Sequence, residues 1–318
     1  MKKKIKNNMK KQISIFLLSS ILFAGCASSS PNASRKSASD GAPLTEDYSW
    51  VDSLDFKTTE EKKYEPSRDQ FKGEIGDSDA LSKESVARIS KPQLEALAGD
   101  SNDPLDKIVS LCYREQFDAG FKVVDEVYPQ YKNNTSYWNQ VGTCYFLKGE
   151  YSKAILFFNK SRDLDNKFSP AVNNLGVVYQ AQGKYQKALL AYKKAADLNT
   201  FALTPLFNLS QLYLKYGKVE QAHTILEALY KRKPLDEQVA GSFSASLMMK
   251  GEIERSIELY SKLSKATLAD PRFGLNLALA LKLNQRPKDA LTAFQNVSEP
   301  SEADLRAYYK RVNDFIRQ

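Results

Sequence analysis

A constant spacing between similar residues is the feature of this 318-residue sequence that most restricts its fold. Gly149, Gly183, Gly217 and Gly251 recur at one fixed step. Three more columns keep the same step: Ala154, Ala188, Ala222, Ser256 and Ala290; Phe158, Tyr192, Leu226, Tyr260 and Phe294; and Tyr145, Tyr179, Tyr213, Leu247 and Leu281. A step of about 34 residues is typical of repeated helical units that bury their apolar faces against one another.

Each repeat is predicted to contain two helices, as segment 173–199 illustrates. Leu175 and Tyr179 follow the spacing of one helical face, and a second apolar face begins at Tyr185. Gly183 lies between the two faces, where its tolerance of a positive φ allows it to end the first helix. The pattern therefore predicts an all-α chain of antiparallel helix pairs.

This period and pattern resemble the tetratricopeptide (TPR) repeat, which has a small residue at position eight, an aromatic residue at eleven, alanine at twenty and an aromatic residue at twenty-four. Trp138 also occupies the characteristic aromatic position of the first clear unit. The frame predicts a degenerate unit at 101–134, then units at 135–168, 169–202, 203–236, 237–270 and 271–304, and a capping helix at 305–318. The resemblance implies a right-handed TPR α-solenoid.

The two ends of the repeat array are predicted to be caps. Lys107 occupies an apolar column of the first unit, which marks that unit as atypical. At the other end, Ser301 and Asp304 resemble a capping box. The following apolar face is predicted to contain Leu305, Tyr308, Val312 and Phe315.

The N-terminus has the parts of an export signal. Six lysines lie within residues 2–11, and an apolar run extends over residues 13–23. This run is shorter than the roughly 20 residues that cross a bilayer. The sequence therefore predicts a signal peptide over residues 1–25.

The junction Phe23-Ala24-Gly25-Cys26 resembles a bacterial lipobox, although the usual residue at the position of Phe23 is Leu. The resemblance implies that Cys26 is lipidated and that several acyl chains hold the protein on a membrane. In Gram-negative cells, Ala27 after the cysteine implies the outer membrane, with the protein facing the periplasm. The alternative is an ordinary signal peptide that is cut near Ala24.

Most of the basic charge belongs to the signal segment. Removing the six lysines of residues 1–25 from a formal charge of +8 leaves +2, which does not indicate nucleic-acid binding. Residues 26–100 have few apolar residues and no sustained period, so they predict a largely disordered linker. The part from Ala27 to about Asp79 is predicted to be a flexible tether, and about fifty residues of flexible chain would place its two ends about 40 Å apart.

The sequence offers few residues for catalysis or metal binding. His223 is the only histidine and is predicted to be a surface helical residue. Cys112 and Cys144 are the only cysteines after Cys26; a bridge between them would need an oxidising compartment, and the favoured interpretation is two small apolar helical residues. The sequence predicts no enzyme, cofactor, metal site or small-molecule substrate.

The TPR resemblance implies a concave groove, lined by the first helices of the repeats, that binds a peptide. The residues at these positions are Asn139, Gln140, Thr143, Asn173, Asn174, Gln180, Asn208, Gln211, Gln238, Ser242 and Asn276. The lysines of the family's carboxylate clamp are absent, so chaperone C-termini are disfavoured as ligands. A ladder of amides can pair with the backbone of an extended peptide; the alternative is that each amide bonds within its own repeat.

The leading functional hypothesis is a membrane-anchored TPR scaffold that binds other cell-envelope proteins. Family resemblance suggests pilus or secretin assembly, gliding motility or outer-membrane protein assembly as settings. The alternative is an adaptor or regulator of peptidoglycan hydrolases or synthases, which the long tether would suit. A catalytic role would need an acidic pair in the linker, and the sequence singles out none.

Overall fold

A computed structural model describes residues 103–199 and 202–318, and every regular element within these ranges is a helix. The chain divides into two compact units, whose described residues are 103–191 in one and 192–199 with 202–318 in the other. The boundary between the units falls within one helix, α6, so this helix contributes residues to both.

The N-terminal unit contains α1 (Pro104–Tyr113), α2 (Phe117–Tyr131), α3 (Thr135–Leu147), α4 (Tyr151–Leu164), α5 (Ser169–Ala181) and the start of α6 (Tyr185–Leu198). The C-terminal unit contains the end of α6 and α7 (Leu203–Lys215), α8 (Val219–Arg232), α9 (Glu237–Lys250), α10 (Ile253–Tyr260), α11 (Lys265–Ala269), α12 (Pro271–Leu283), α13 (Pro287–Gln295) and α14 (Ala303–Arg317). Short loops join consecutive helices, and within the two units the pairs α1–α2, α3–α4, α7–α8, α9–α10 and α12–α13 pack against each other. The predicted fold class, an all-α chain of antiparallel helix pairs of the TPR type, is confirmed.

The glycine column ends the first helix of its repeats with a left-handed residue. The φ angles are 84°, 73°, 69° and 86° at Gly149, Gly183, Gly217 and Gly251. In each repeat the next amide donates to the carbonyl five residues back, as Lys184 N does to Tyr179 O at 2.8 Å, which is a Schellman motif. Glu115 (φ 62°) and Gln285 (φ 59°) adopt the same conformation with the same hydrogen bond behind them. The column therefore extends over six repeats.

The small and large columns form the core of the helix pairs. Every member of the small column is 0% exposed: Ala154, Ala188, Ala222, Ser256 and Ala290. The large column is also buried at Phe158, Tyr192, Leu226, Tyr260 and Phe294. A close approach of α3 to α4 explains one glycine, because a Cβ on Gly142 would lie 2.6 Å from the Phe158 ring. The residues that repeat with this period are therefore those at the contacts between helices.

A disulfide bond joins Cys112 of α1 to Cys144 of α3, with the two Cα atoms 5.2 Å apart. Both side chains are buried where α1 packs against α3. Gly120 of α2 lies against this bond, since a Cβ there would be 2.8 Å from Cys112 Sγ. The prediction of two separate apolar residues is wrong, because stacking of adjacent first helices brings together cysteines that are 32 residues apart.

Repeat 237–270 has a shorter second helix than the repeats that precede it. The helix α10 ends at Tyr260 after 8 residues, whereas α4 and α8 each have 14. Ser261 Oγ donates to a carbonyl within its own turn at 2.7 Å, and Ser264 Oγ caps α11 by accepting from Thr267 N at 3.2 Å. Serine hydroxyls that bond to nearby backbone compete with helix continuation, which accounts for the break.

Glu237, in the first turn of α9, holds the segment that follows this break. Its carboxylate accepts hydrogen bonds from Ser264 N at 2.6 Å, from Ser264 Oγ at 3.0 Å and from the Thr267 hydroxyl. Burial by itself raises the pKa of Glu237, but the hydrogen bonds from Thr267 and Ser264 outweigh it and lower the pKa below its ordinary 4.5. The ionised carboxylate therefore ties α9 to α11.

The helix α14 packs against α12 and α13 at the end of the C-terminal unit. Its buried residues are Leu305, Tyr308, Val312 and Ile316. The prediction of Phe315 as the fourth member is wrong, because Ile316 continues the i, i+4 spacing from Val312 while Phe315 is partly exposed. The predicted capping box is also wrong: the N-cap is Glu302, one residue after Ser301, and it makes no side-chain cap hydrogen bond.

The predicted signal peptide at 1–25, Cys26 and the linker at 26–100 lie outside the described residues. Of the helices that the structure does describe, none combines the length and the apolar character needed to cross a membrane.

Candidate peptide-binding surface

The residues predicted to line a groove lie on the first helices of the repeats. In the N-terminal unit, α3 carries Asn139, Gln140 and Thr143, and α5 carries Asn173, Asn174 and Gln180. In the C-terminal unit, α7 carries Asn208 and Gln211, α9 carries Gln238 and Ser242, and α12 carries Asn276. Gln180 and Gln238 are partly exposed, and the other nine are buried.

Three asparagines of the N-terminal unit form a short hydrogen-bonded chain. Asn174 Nδ2 donates to Asn139 Oδ1 of the preceding repeat at 2.9 Å, and Asn173 Nδ2 donates to Asn174 Oδ1 at 3.3 Å. All three side chains are 0% exposed. The structure therefore brings these predicted residues together and links their amides between repeats as well as within one.

In the C-terminal unit, Asn276 is part of the contact between α12 and α14. Its Oδ1 accepts from the Tyr308 hydroxyl at 2.7 Å, and its Nδ2 donates to Arg272 O at 2.9 Å. Arg272 Nε in turn donates to Asp270 Oδ1 at 2.9 Å. At this position the amide joins the terminal helix to its repeat, which is the structural alternative to a role in peptide binding.

Three of the predicted amides keep a buried polar atom that finds no hydrogen-bond partner within residues 103–199 and 202–318. Two are donors, Asn139 Nδ2 and Gln211 Nε2, and one is an acceptor, Gln238 Oε1. An unsatisfied buried group of this kind costs about 1–3 kcal/mol. Because each of these atoms is shielded from solvent, a bound segment could reach it only after the side chain moves, so the predicted amides with surface that a ligand can reach are Gln180 and Gln238.

His223 lies between α8 and α9 and is partly buried, so the prediction of a surface residue is wrong. Its ring is 5.3 Å from the Phe243 ring, and its Nδ1 lies 3.0 Å from Ser246 Oγ. Because the Ser246 hydroxyl donates to Phe243 O at 2.7 Å, Nδ1 of His223 is the donor of this pair. Burial, together with Lys250, lowers the pKa of His223, which keeps the ring neutral near pH 7. His223 is partly buried because α8, the second helix of its repeat, packs against α9, the first helix of the next repeat.

Sequence reasoning did not single out an aromatic run in the N-terminal unit. Phe157 stacks on Trp138, with ring centroids 5.5 Å apart, and on Tyr145, with centroids 5.1 Å apart. Nearby, Tyr137 donates to Val124 O at 3.0 Å, and burial raises the pKa of Tyr137 to about 12. The ring faces stack on one another, so this aromatic run stabilises the packing of α3 against α4.

No group of histidine, cysteine or acidic residues within the described ranges is arranged to hold a metal ion. The predicted surface residues themselves are asparagines, glutamines, a threonine and a serine, which are neutral amides and hydroxyls.

Two segments of the chain match models of the tetratricopeptide repeat, at residues 135–168 and 170–199. Both segments are tetratricopeptide repeats. They contain α3 and α5, so Asn139, Asn173 and Asn174 lie on the first helices of tetratricopeptide repeats. A search of curated protein sequences found no match.

Two solved structures share the fold of this repeat-containing chain. The crystal structure of the APC/C hetero-tetramer Cut9–Hcn1 matches with 18% identity and a TM-score of 0.58, over 76% of this chain and 49% of that chain. This chain thus spans about half the length of that relative. Pseudomonas aeruginosa PilF matches with 14% identity and a TM-score of 0.53, over 70% of this chain and 96% of that chain. At these identities the similarity shows the fold alone.

Proposed function

We propose that this chain is an exported, lipid-anchored scaffold that binds other cell-envelope proteins through the first helices of its tetratricopeptide repeats. These are called the inner helices below, and the amides that they carry are called the inner-helix amides. Tetratricopeptide repeats mediate protein–protein interactions, and the two matched repeats carry this part of the proposal. The anchor is Cys26, at the end of a signal peptide over residues 1–25. The location is the outer membrane, with the repeats facing the periplasm.

The buried disulfide supports an oxidising compartment. Disulfides persist in secreted and periplasmic proteins and are rare in the cytosol, where thiols are kept reduced. Cys112 and Cys144 are joined in the structure, and the lipobox pattern at Cys26 independently indicates export. Two features far apart in the chain therefore point to the same compartment.

The inner-helix amides support binding to peptide backbone. Gln180 of α5 and Gln238 of α9 lie on first helices and keep exposed surface. A side-chain amide offers both a donor and an acceptor to the backbone of an extended segment, so recognition would tolerate varied side chains. A scaffold in pilus or secretin assembly, in gliding motility or in outer-membrane protein assembly would use this property. An adaptor of peptidoglycan hydrolases or synthases, the second candidate, would use the same surface.

In-cell photocrosslinking from Gln180 would identify the partner. Gln180 is partly exposed on α5, in the same helix as Asn173 and Asn174. We expect capture of a component of an envelope assembly machine, whereas capture of a peptidoglycan enzyme would favour the second candidate. The same photoreactive residue at Lys310, exposed on α14, is the matched control. Identical products from the two positions would refute the inner-helix surface.

The anchor requires a separate experiment. The substitution Cys26→Ala removes the thiol that would be lipidated while leaving the repeats intact. We expect the variant protein to move from the membrane fraction to the soluble periplasmic fraction. Retention of the variant in the membrane fraction would show that the lipobox interpretation is incorrect.

A further inference from the structure

A cleft of about 600 Å³ opens between α10 and α12 in the C-terminal unit. Its floor is apolar and contains Ile257, Leu277 and Leu281, and two carboxylates, Glu254 and Glu258, lie at its rim. The remaining lining residues are Ser261, Asn284 and Arg286. None of these belongs to the inner-helix amides, so the cleft is a separate feature of the molecule.

In the preceding repeat, the space that corresponds to this cleft is filled. One repeat earlier, the counterparts of the floor residues Ile257 and Leu277 are His223 and Phe243, whose rings are in contact at 5.3 Å. These rings fill the space that the aliphatic side chains leave open. The cleft is therefore open because two aliphatic side chains occupy the positions at which the preceding repeat has two aromatic rings.

A lysine closes the crevice of the preceding repeat. Lys250 Nζ lies 2.8 Å from Glu220 Oε2, and only 23% of the lysine side chain is exposed. The counterparts of this lysine and this glutamate one repeat later are Asn284 and Glu254. Asparagine has neither the length nor the charge to make this ion pair, so the glutamate remains while its internal lysine is missing.

The charges around the cleft leave one carboxylate available. Glu258 Oε1 pairs with Lys262 Nζ at 2.8 Å, and Arg286 Nε pairs with Asp289 Oδ2 at 2.7 Å. Within the part of the chain that the structure describes, Glu254 makes no ion pair. A cation that enters the cleft therefore meets Glu254 and has an apolar floor for its aliphatic stem.

We propose that this cleft binds a lysine side chain from a basic segment of a partner protein, in the place that Lys250 takes in the preceding repeat. The ammonium group pairs with Glu254, and the methylenes of the side chain contact Ile257 and Leu277. The complementarity in charge has a counterpart in the preceding repeat, where Lys250 pairs with Glu220. This surface acts independently of the inner helices, so its failure would leave the proposed scaffold function intact.

Methyl NMR of the full chain tests the proposal. The probe is the peptide acetyl-Ala-Ala-Lys-Ala-Ala-amide, and its control is the same peptide with Nε-acetyl-lysine. We expect the lysine peptide to shift the methyl signals of Ile257 and Leu277, and the acetylated peptide to bind roughly tenfold more weakly because the charge-assisted hydrogen bond is lost. Absence of a shift at Ile257, or equal binding of the two peptides, would overturn the proposal.

Matched variants identify the site. Asn284→Lys restores the internal lysine and should abolish peptide binding, whereas Lys250→Asn should create no second site, because the rings of His223 and Phe243 still fill that crevice. Glu254→Gln should weaken peptide binding roughly tenfold. Glu220→Gln should leave peptide binding unchanged, because Glu220 already pairs with Lys250 in the natural chain. Peptide binding to Asn284→Lys at the affinity of the natural chain would refute the assignment. Ile257 shifts that depend on protein concentration without peptide would instead identify a second copy of this chain as the occupant, and the lysine proposal would be wrong.

Discussion

At the scale of single residues, two positions adopt a conformation that their counterparts in other repeats give to glycine. Glu115 and Gln285 have φ angles of 62° and 59°, and the four glycines of the same column lie between 69° and 86°. A left-handed backbone brings Cβ too close to the following carbonyl in any residue other than glycine. The first and last repeats of the array therefore contain strained helix ends.

We expect Glu115→Gly and Gln285→Gly each to stabilise the protein by about 0.5–1 kcal/mol, since relief of the left-handed strain exceeds the entropy that glycine adds to the unfolded chain. The converse change, Gly183→Ala, should destabilise it by about 1 kcal/mol. Urea unfolding followed by circular dichroism measures all three.

The matched control for this prediction is Arg114→Gly, one residue before Glu115, where φ is −87° and glycine relieves nothing. Equal effects of Arg114→Gly and Glu115→Gly would contradict the explanation.

The sequence could predict the role of a single residue when the same role recurs, with the same residue type, in several repeats. The glycine column was visible because four of its six members share one residue type, and Glu115 and Gln285 were missed because they do not. The signal that could have found them is the frame itself, which places each of them one full repeat away from a glycine. The bond between Cys112 and Cys144 occurs once, so no column could indicate it.

At the scale of secondary-structure elements, the break between α10 and α11 is the main irregularity of the array. The period predicts a long second helix in repeat 237–270, but Ser261 and Ser264 bond to nearby backbone and end it early. Both serines are visible in the sequence, so the break could have been suspected. The attachment of α11 to Glu237 could not, because it joins residues 27 and 30 positions apart.

We expect the contact between Glu237 and α11 to be lost in acid. The pKa of Glu237 is lowered in the folded protein, so its contribution is present above the ordinary value of 4.5 and is lost as pH falls through the lowered value. An NMR titration of the Ser264 amide, which donates to this carboxylate, would follow the loss as an upfield shift. Glu237→Gln should remove the transition, and Glu299→Gln, at an exposed position, should not. A Ser264 signal that titrates in Glu237→Gln as it does in the natural chain would assign the transition to another group.

The disulfide connects two elements of adjacent repeats, and we expect its removal to destabilise the N-terminal unit. Closing a loop of this length stabilises a folded chain by about 3–4 kcal/mol in the chain-entropy model. The measurement is urea unfolding of Cys112→Ala with Cys144→Ala, followed by Trp138 fluorescence in a Trp50→Phe background.

The same chain in a reductant is the control for this variant, because it retains the cysteine side chains and loses only the bond. Unchanged midpoints in both samples would show that the bond contributes nothing to stability.

At the scale of the whole molecule, the repeat frame predicted the fold class and the helices that carry the candidate site. The frame could assign Asn139, Asn173 and Asn174 to first helices, since those positions follow from counting. It could not foresee that Asn174 donates to Asn139 or that Asn276 accepts from Tyr308, because these bonds depend on how separate helices meet. Charge and pairing across repeats likewise decide that one crevice is closed by Lys250 and the next is open at Asn284.

The disulfide also determines how mechanical tension would pass through the N-terminal unit. A pull on the chain before Asp103 reaches Cys112 in α1 and crosses the covalent bond to Cys144 in α3. Residues 113–143, which include all of α2, lie in the closed loop and carry none of this load. While the bond is intact, a force applied from the N-terminal side therefore cannot peel the first helix pair away from the second.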